Sequence, residues 1–197
     1  TTWIINKISR TVFKASFVVL VFLITGKFVI SALGMILVVF MTDFAKISLS
    51  TDNVRGSQKP ETWNISGLVT MAMILGMLMI AESIGLFFIG TGYLGLAGDT
   101  EAISTFGFEI MIYFAIFSLF VVRERRHFWN SRPSWTLLGV LVLDAVVAAV
   151  LATFGIFGMK PLPFPTTLIV IGYSFLFSLC VNDLVKYALV RKMGVRW

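Results

Sequence analysis

Apolar residues in this chain are gathered into long continuous runs, and short polar stretches separate the runs. Each run approaches the roughly 20 residues that a helix needs to cross the hydrocarbon core of a bilayer. A transmembrane β-barrel would instead alternate apolar and polar positions over segments of about 10 residues. The pattern therefore predicts an all-α, polytopic membrane protein, a single membrane domain over 1–197 with six helices at about 8–26, 28–46, 65–90, 103–122, 135–158 and 166–188.

Composition narrows the class of protein further. Hydrophobic residues make up 58% of the 197 positions and charged residues only 13%, whereas ordinary soluble domains carry about 25% charged residues. That deficit excludes a soluble globule and a disordered chain. A single Cys and a single His exclude an internal disulfide, a cysteine-based metal site and a multi-histidine metal site.

The basic residues predict the orientation of the chain in the membrane. All but three of the 16 Lys and Arg residues lie on the side that would carry both termini, the exceptions being Lys14, Lys27 and Lys160. Cytoplasmic loops are enriched in Lys and Arg, so we expect both termini to be cytoplasmic. The net charge of +6 then reflects orientation in the lipid bilayer, and we expect no nucleic-acid partner.

Charged residues inside the apolar runs are functional candidates because they are costly in hydrocarbon. At about 1.5 Å of rise per residue, Lys14 and Asp43 lie at similar distances from the Gly26-Lys27 turn that joins the first two segments into a predicted hairpin. A carboxylate whose proton affinity depends on a movable cation can bind a proton on one side and release it on the other. Alternatively, Asp43 pairs locally with Lys46 and Lys14 extends to the surface.

Four other acidic residues lie within or near the predicted helices. Glu82 and Glu109 lie toward the side opposite the termini and are candidates for an ion path, although interhelical hydrogen bonding is the favoured alternative. Asp144 lies near mid-membrane, as a relay group or, in the favoured interpretation, a neutral packing acid. Asp183 precedes Lys186 by three residues, which predicts an interfacial ion pair.

One stretch carries a family resemblance. Residues 41–65 read Met-Thr-Asp-Phe-Ala-Lys-Ile-Ser-Leu-Ser-Thr-Asp-Asn-Val-Arg-Gly-Ser-Gln-Lys-Pro-Glu-Thr-Trp-Asn-Ile. They resemble the sixth membrane helix and following loop of P-type ATPases, closest to the plasma-membrane proton pumps. Matching positions are Asp43, Asp52, Val54, Arg55, Ser57, Pro60 and Trp63, while Gly56 replaces the usual Pro. Residues 120–134 and 183–192 extend the resemblance, so the six segments correspond to helices five to ten.

The resemblance implies specific roles. Asp43 matches the carboxylate that accepts and releases the proton, and Lys14 falls where these pumps carry a basic partner, normally Arg. The phosphorylation sequence Asp-Lys-Thr-Gly-Thr and the actuator sequence Thr-Gly-Glu-Ser are not in these 197 residues. We therefore expect no catalytic residue, no metal site and no bound cofactor here. ATP and Mg would belong to the intact pump, and the partners would be its actuator, phosphorylation and nucleotide-binding domains and first four helices.

Three alternatives stay open at this point. A pump for another cation, such as calcium or sodium, needs several converging oxygens. The second segment offers only Thr42 and Asp43 at one level, and Glu82 and Glu109 add to them only if the bundle brings all four together. A stand-alone secondary transporter would show two related halves, which the sequence lacks. A truncated, non-catalytic membrane scaffold is the third.

Overall fold

The computed structural model describes residues 2–53 and 65–193. The described residues form helices without any strand, and the all-α prediction is confirmed. The helices are α1 (Thr2–Thr25), α2 (Ala32–Ser48), α3 (Ile65–Gly92), α4 (Thr100–Val122), α5 (Trp135–Phe154), α6 (Phe164–Leu176) and α7 (Asp183–Met193). A π-helical turn, Phe177–Asn182, joins α6 to α7, so these two form one long sixth element. All six elements are long and apolar enough to cross a membrane.

Local chemistry explains where several helices begin and end. The Ser31 hydroxyl accepts a hydrogen bond from the Gly34 amide, and α2 therefore starts after a short connection rather than near residue 28. Gly155 adopts a left-handed backbone conformation with φ of 67°. This conformation ends α5 at Phe154, before the predicted end near residue 158.

Helix α4 lies at the centre of the bundle. It is apolar on nearly all sides, and its side chains are buried against neighbours on every face. A helix that is hydrophobic all round must be enclosed by other helices or lipid, and here other helices enclose it. The outer helices keep apolar side chains exposed, as expected of a surface that faces lipid.

Helices α1 and α2 are joined by a short connection, but they do not pack along one another as the predicted hairpin would. Helix α1 packs along α3, while α2 packs against α4 and α5. The connection itself lies on α4, because a Cβ added to Gly107 would meet the Val29 carbonyl oxygen at 1.8 Å. Only glycine permits such an approach of two backbones.

The described start and end of the chain lie at the same end of the bundle. Ile5 of α1 packs in one apolar cluster with Leu189 and Val190 of α7. We call this end the terminal face, and the opposite end the distal face. The cytoplasmic location of the terminal face stays a prediction from the distribution of basic residues.

The distal face is held by contacts between loops. Lys27 donates to the Ala97 carbonyl at 2.9 Å, and Asp99 caps α4 through the amides of Glu101 and Ala102. Asp99 also pairs with Lys160. The hydrogen bond from Lys160 lowers the pKa of Asp99, aided by the Ala102 amide, and Asp99 in turn raises the pKa of Lys160.

Candidate ion-translocation site

Lys14 and Thr42 join α1 to α2 within the membrane-spanning region. The Lys14 ammonium donates to the Thr42 hydroxyl oxygen at 3.1 Å. Thr42 is fully buried, and its own hydroxyl donates to the Val39 carbonyl at 3.2 Å. Lys14 therefore lies at the level of Thr42 and Asp43, the depth that the sequence predicts for it.

Asp43 faces the outside of the bundle. Its side chain is 52% exposed and pairs with Lys46 one helical turn later. Successive helical residues point about 100° apart, so Thr42 faces inward and Asp43 does not. The local ion pair with Lys46 is the arrangement present, and Lys14 bonds the residue next to Asp43 instead of its carboxylate.

Arg10 is the residue of this region that sequence reasoning missed. The sequence interpretation counts it among the orienting residues near the terminal face, but its side chain is only 2% exposed. All three guanidinium nitrogens are buried without a hydrogen-bond partner. The carboxylates of Asp43 and Asp144 are the charges that act on it. Its spacing from Lys14, one helical turn on the same face, was the available signal.

Asp144 completes this group from α5. It is 7% exposed, and its Oδ2 atom is buried without a partner. The structure thus brings three sequence candidates and Arg10 around the inner side of α2, with Asp43 on its outer side. We refer to Arg10, Lys14, Thr42, Asp43 and Asp144 as the α1–α2 cluster.

The two remaining candidates lie elsewhere in the bundle. Glu109 accepts a hydrogen bond from Thr167 of α6 at 2.6 Å, and Glu82 accepts one from Asn182 at 2.9 Å. Both bonds are interhelical, the alternative that the sequence interpretation favours. Within residues 2–53 and 65–193, no group of three or more His, Cys, Asp or Glu residues is arranged to hold a metal ion.

The terminal face carries a dense set of buried ion pairs. Arg123, at the end of α4, binds both carboxylate oxygens of Asp52 at 3.0 and 2.8 Å. Asp52 also accepts from the Ser134 amide at 3.0 Å, so it joins the end of α2 to the start of α5. The remaining residues of the resemblance motif, Val54, Arg55, Gly56, Ser57, Pro60 and Trp63, lie outside the described residues.

Asp183 and Lys186 form the ion pair that their spacing predicts, at 2.8 Å, and that prediction is confirmed. Both side chains are almost fully buried within the protein. Asp183 also accepts from the Phe128 amide at 3.1 Å and lies 2.7 Å from His127 Nδ1. The His127 ring stacks between Trp129 and Tyr187.

Comparison with known proteins decides the family. Residues 27–188 match the sequence profile of the family described as cation transporting ATPase, C-terminus. The chain belongs to this family. The match includes α2 to α6 and α7 as far as residue 188, with every acidic candidate named above.

Relatives of this cation-transporting ATPase C-terminal domain include archaeal and fungal proteins. A Methanocaldococcus jannaschii protein named as a cation-transporting ATPase is 27% identical over 98% of this chain and 24% of its own length. Plasma membrane ATPase 2 of Schizosaccharomyces pombe is 29% identical over 64% of this chain. Plasma membrane ATPase 1 of Saccharomyces cerevisiae is 31% identical over the same share. The chain spans about a quarter or less of the length of these relatives.

Proposed function

We propose that this chain is the transmembrane C-terminal part of a P-type pump, that the transported cation is a proton, and that Asp43 carries it. In the intact pump, ATP and Mg would be bound by the phosphorylation and nucleotide-binding domains. The actuator domain and four preceding helices would complete the machine. The names of the fungal relatives refer to the plasma membrane, and we propose the same location here.

The exposed side of α2 is the observation that carries this proposal. Asp43 lies within an apolar stripe whose other members are Ile36, Phe40 and Ile47, each more than 60% exposed. A half-exposed carboxylate in such a stripe is costly if it faces lipid. The preceding helices of a pump would cover this stripe and enclose Asp43 between themselves and α2.

The chemistry around Asp43 favours a proton over a metal ion. A bound cation such as calcium requires six or more oxygen ligands. Thr42 already donates to Val39 and accepts from Lys14, so it has little capacity left as a ligand. The positive charges of Arg10 and Lys14 would repel a metal ion, whereas a single carboxylate is sufficient to bind a proton.

The test is proton transport by the complete pump carrying Asp43→Asn. ATP-driven acidification of sealed vesicles should be abolished, because an amide cannot bind and release the proton. Glu101→Gln is the matched control, since it removes one negative charge from an exposed position at the distal start of α4. Acidification that survives Asp43→Asn would contradict the assignment.

Two further outcomes would redirect the proposal. ATP hydrolysis stimulated by calcium or sodium, but not by protons, would indicate a pump for another cation. An Asp43→Asn variant with no effect on any transport measurement would favour a non-catalytic membrane scaffold. Both measurements use the same vesicles as the acidification assay.

A further inference from the structure

A buried carboxyl and a buried amide face each other between α3 and the π-helical turn. Glu82 is 6% exposed and Asn182 is 3% exposed. The Asn182 Nδ2 group donates to Glu82 Oε2 at 2.9 Å. The other two polar atoms, Glu82 Oε1 and Asn182 Oδ1, are buried without partners.

The state of the Glu82 carboxyl follows from what surrounds it. An ionised carboxylate removed from water requires a nearby cation or several hydrogen bonds. Glu82 has one hydrogen bond, and no described basic side chain acts on it appreciably. Tyr173 is a titratable group close to Glu82. Its hydroxyl lies 3.0 Å from the point that a Cβ on Gly85 would occupy, and Gly85 follows Glu82 by three residues on α3.

A bound proton would satisfy both orphan atoms. A protonated carboxyl has one O–H donor, and a side-chain amide has one carbonyl acceptor. The Asn182 amide already donates to one carboxyl oxygen, so an O–H on the other can donate to Asn182 Oδ1 or to a water between them. The pair then has no buried charge and no unpaired polar atom.

The π-helical turn brings Asn182 to this position. It spans Phe177–Asn182, and its wider turn changes which side chains of the sixth element face α3. Single π-turns within α-helices are frequent at functional sites. Ser178 and Asn182 are both buried here, and the Ser178 hydroxyl also lacks a partner.

A small cavity adjoins this pair. Asn182 lines it, together with Ser9 of α1, Leu75 of α3 and Ser118 of α4. The Ser9 and Ser118 hydroxyls donate to carbonyls of their own helices, Ile5 and Ala115. Their oxygens keep lone pairs that can accept hydrogen bonds from water. Ser9 lies near the start of α1 and Ser118 near the end of α4, so the cavity lies in the terminal half of the bundle.

We propose that Glu82 is a proton-binding site separate from Asp43, kept as a neutral carboxylic acid by its burial and paired with Asn182. Water in the adjoining cavity carries the Glu82 proton to and from the solvent at the terminal face. This site does not depend on which cation the α1–α2 cluster transports. A metal ion is not its ligand, because among the described residues no group of three or more His, Cys, Asp or Glu side chains could hold one.

Infrared spectroscopy of the full-length protein in lipid nanodiscs near neutral pH tests the bound proton. Subtracting the spectrum of Glu82→Gln from the wild-type spectrum should leave the C=O stretch of a protonated carboxylic acid. Gln can still pair with Asn182 in both directions, so the variant should fold. Glu101→Gln, at an exposed position, should remove only ionised-carboxylate absorption. Loss of ionised-carboxylate absorption in Glu82→Gln would overturn the proposal.

Transfer to D2O tests the route of exchange. The Glu82 band should shift as its proton is replaced, and Ser118→Leu should slow that shift several-fold by filling the cavity. Thr70→Leu likewise replaces a hydroxyl side chain with Leu, but on an exposed face of α3, and should leave the rate unaltered. Ser118→Val serves if the larger side chain prevents folding. Equal exchange rates in the wild type and a folded Ser118 variant would overturn the water route.

Discussion

Two buried basic side chains in different regions of this molecule have opposite surroundings. Lys186 is 0% exposed and donates to the carbonyls of Val121, Glu124 and Arg126 and to Asp183. Arg10 is 2% exposed, and none of its guanidinium nitrogens has a hydrogen-bond partner. Within residues 2–53 and 65–193, one region satisfies its buried charge and the other does not.

We interpret the difference as one between a structural charge and a functional one. Lys186 donates to the Val121 carbonyl in the last turn of α4, where carbonyls lack partners within their own helix. It also donates to the Glu124 and Arg126 carbonyls in the connection that follows. Its burial is therefore offset by three hydrogen bonds to carbonyls and by the ion pair with Asp183. Among the described residues Arg10 has no such compensation, and we propose that its charge acts on the carboxylates of Asp43 and Asp144. The following substitutions test that distinction.

Lys186→Met should have the largest effect on stability. It would leave Asp183 buried without its cation and three carbonyls without their donor. Removal of one member of a buried ion pair costs about 3–5 kcal/mol, and we expect that loss in the free energy of unfolding measured in detergent. Lys192→Met, at an exposed position of α7, is the control. Equal stability of the two variants would contradict the structural role of Lys186.

Gly107→Ala should have the next largest effect. The added methyl group would overlap the Val29 carbonyl oxygen, and overpacking of this kind costs about 1–3 kcal/mol. The substitution tests whether the α1–α2 connection is positioned by its packing on α4. Gly139→Ala is the matched control, because a Cβ there meets no atom within 4 Å. A Gly107→Ala variant as stable as this control would show that the close contact is not required.

Arg10→Met should change the unfolding free energy by less than about 1.5 kcal/mol in either direction, because no hydrogen bond is lost and a buried charge is removed. Transport by the complete pump should nevertheless decrease at least tenfold. Unfolding and acidification are measured on the same preparations. Destabilisation equal to that of Lys186→Met would remove the distinction between the two regions.

Asp99→Asn should have the smallest effect, because the distal ion pair with Lys160 is exposed. The hydrogen bond from Lys160 lowers the pKa of Asp99 in the folded state. The pair therefore stabilises the fold above the unfolded-state pKa of about 3.9, and that stabilisation is lost as pH falls through the folded-state pKa. Asn keeps the helix cap, so thermal unfolding at acidic pH should show less pH dependence in the variant. An unchanged pH dependence would indicate that the pair contributes nothing.

The sequence allowed much of the fold to be predicted, but only part of the site. The apolar runs located the membrane helices, and the three-residue spacing of Asp183 and Lys186 predicted their ion pair. The bond between Glu82 and Asn182 joins residues 100 positions apart. Its register depends on a π-helical turn, and no local pattern specifies that. The burial of Arg10 depends on how α1 packs along α3. The sequence does not show that packing, so it predicts only an orienting charge at this position.

The sequence by itself determined that the chain crosses the membrane six times, because hydrocarbon requires long apolar helices with internal hydrogen bonds. It also indicated the family through residues 41–65. Only the tertiary structure decided that Lys14 bonds Thr42 while Asp43 faces outward. Depth along a helix follows from residue number, but direction around it depends on the packing of its neighbours.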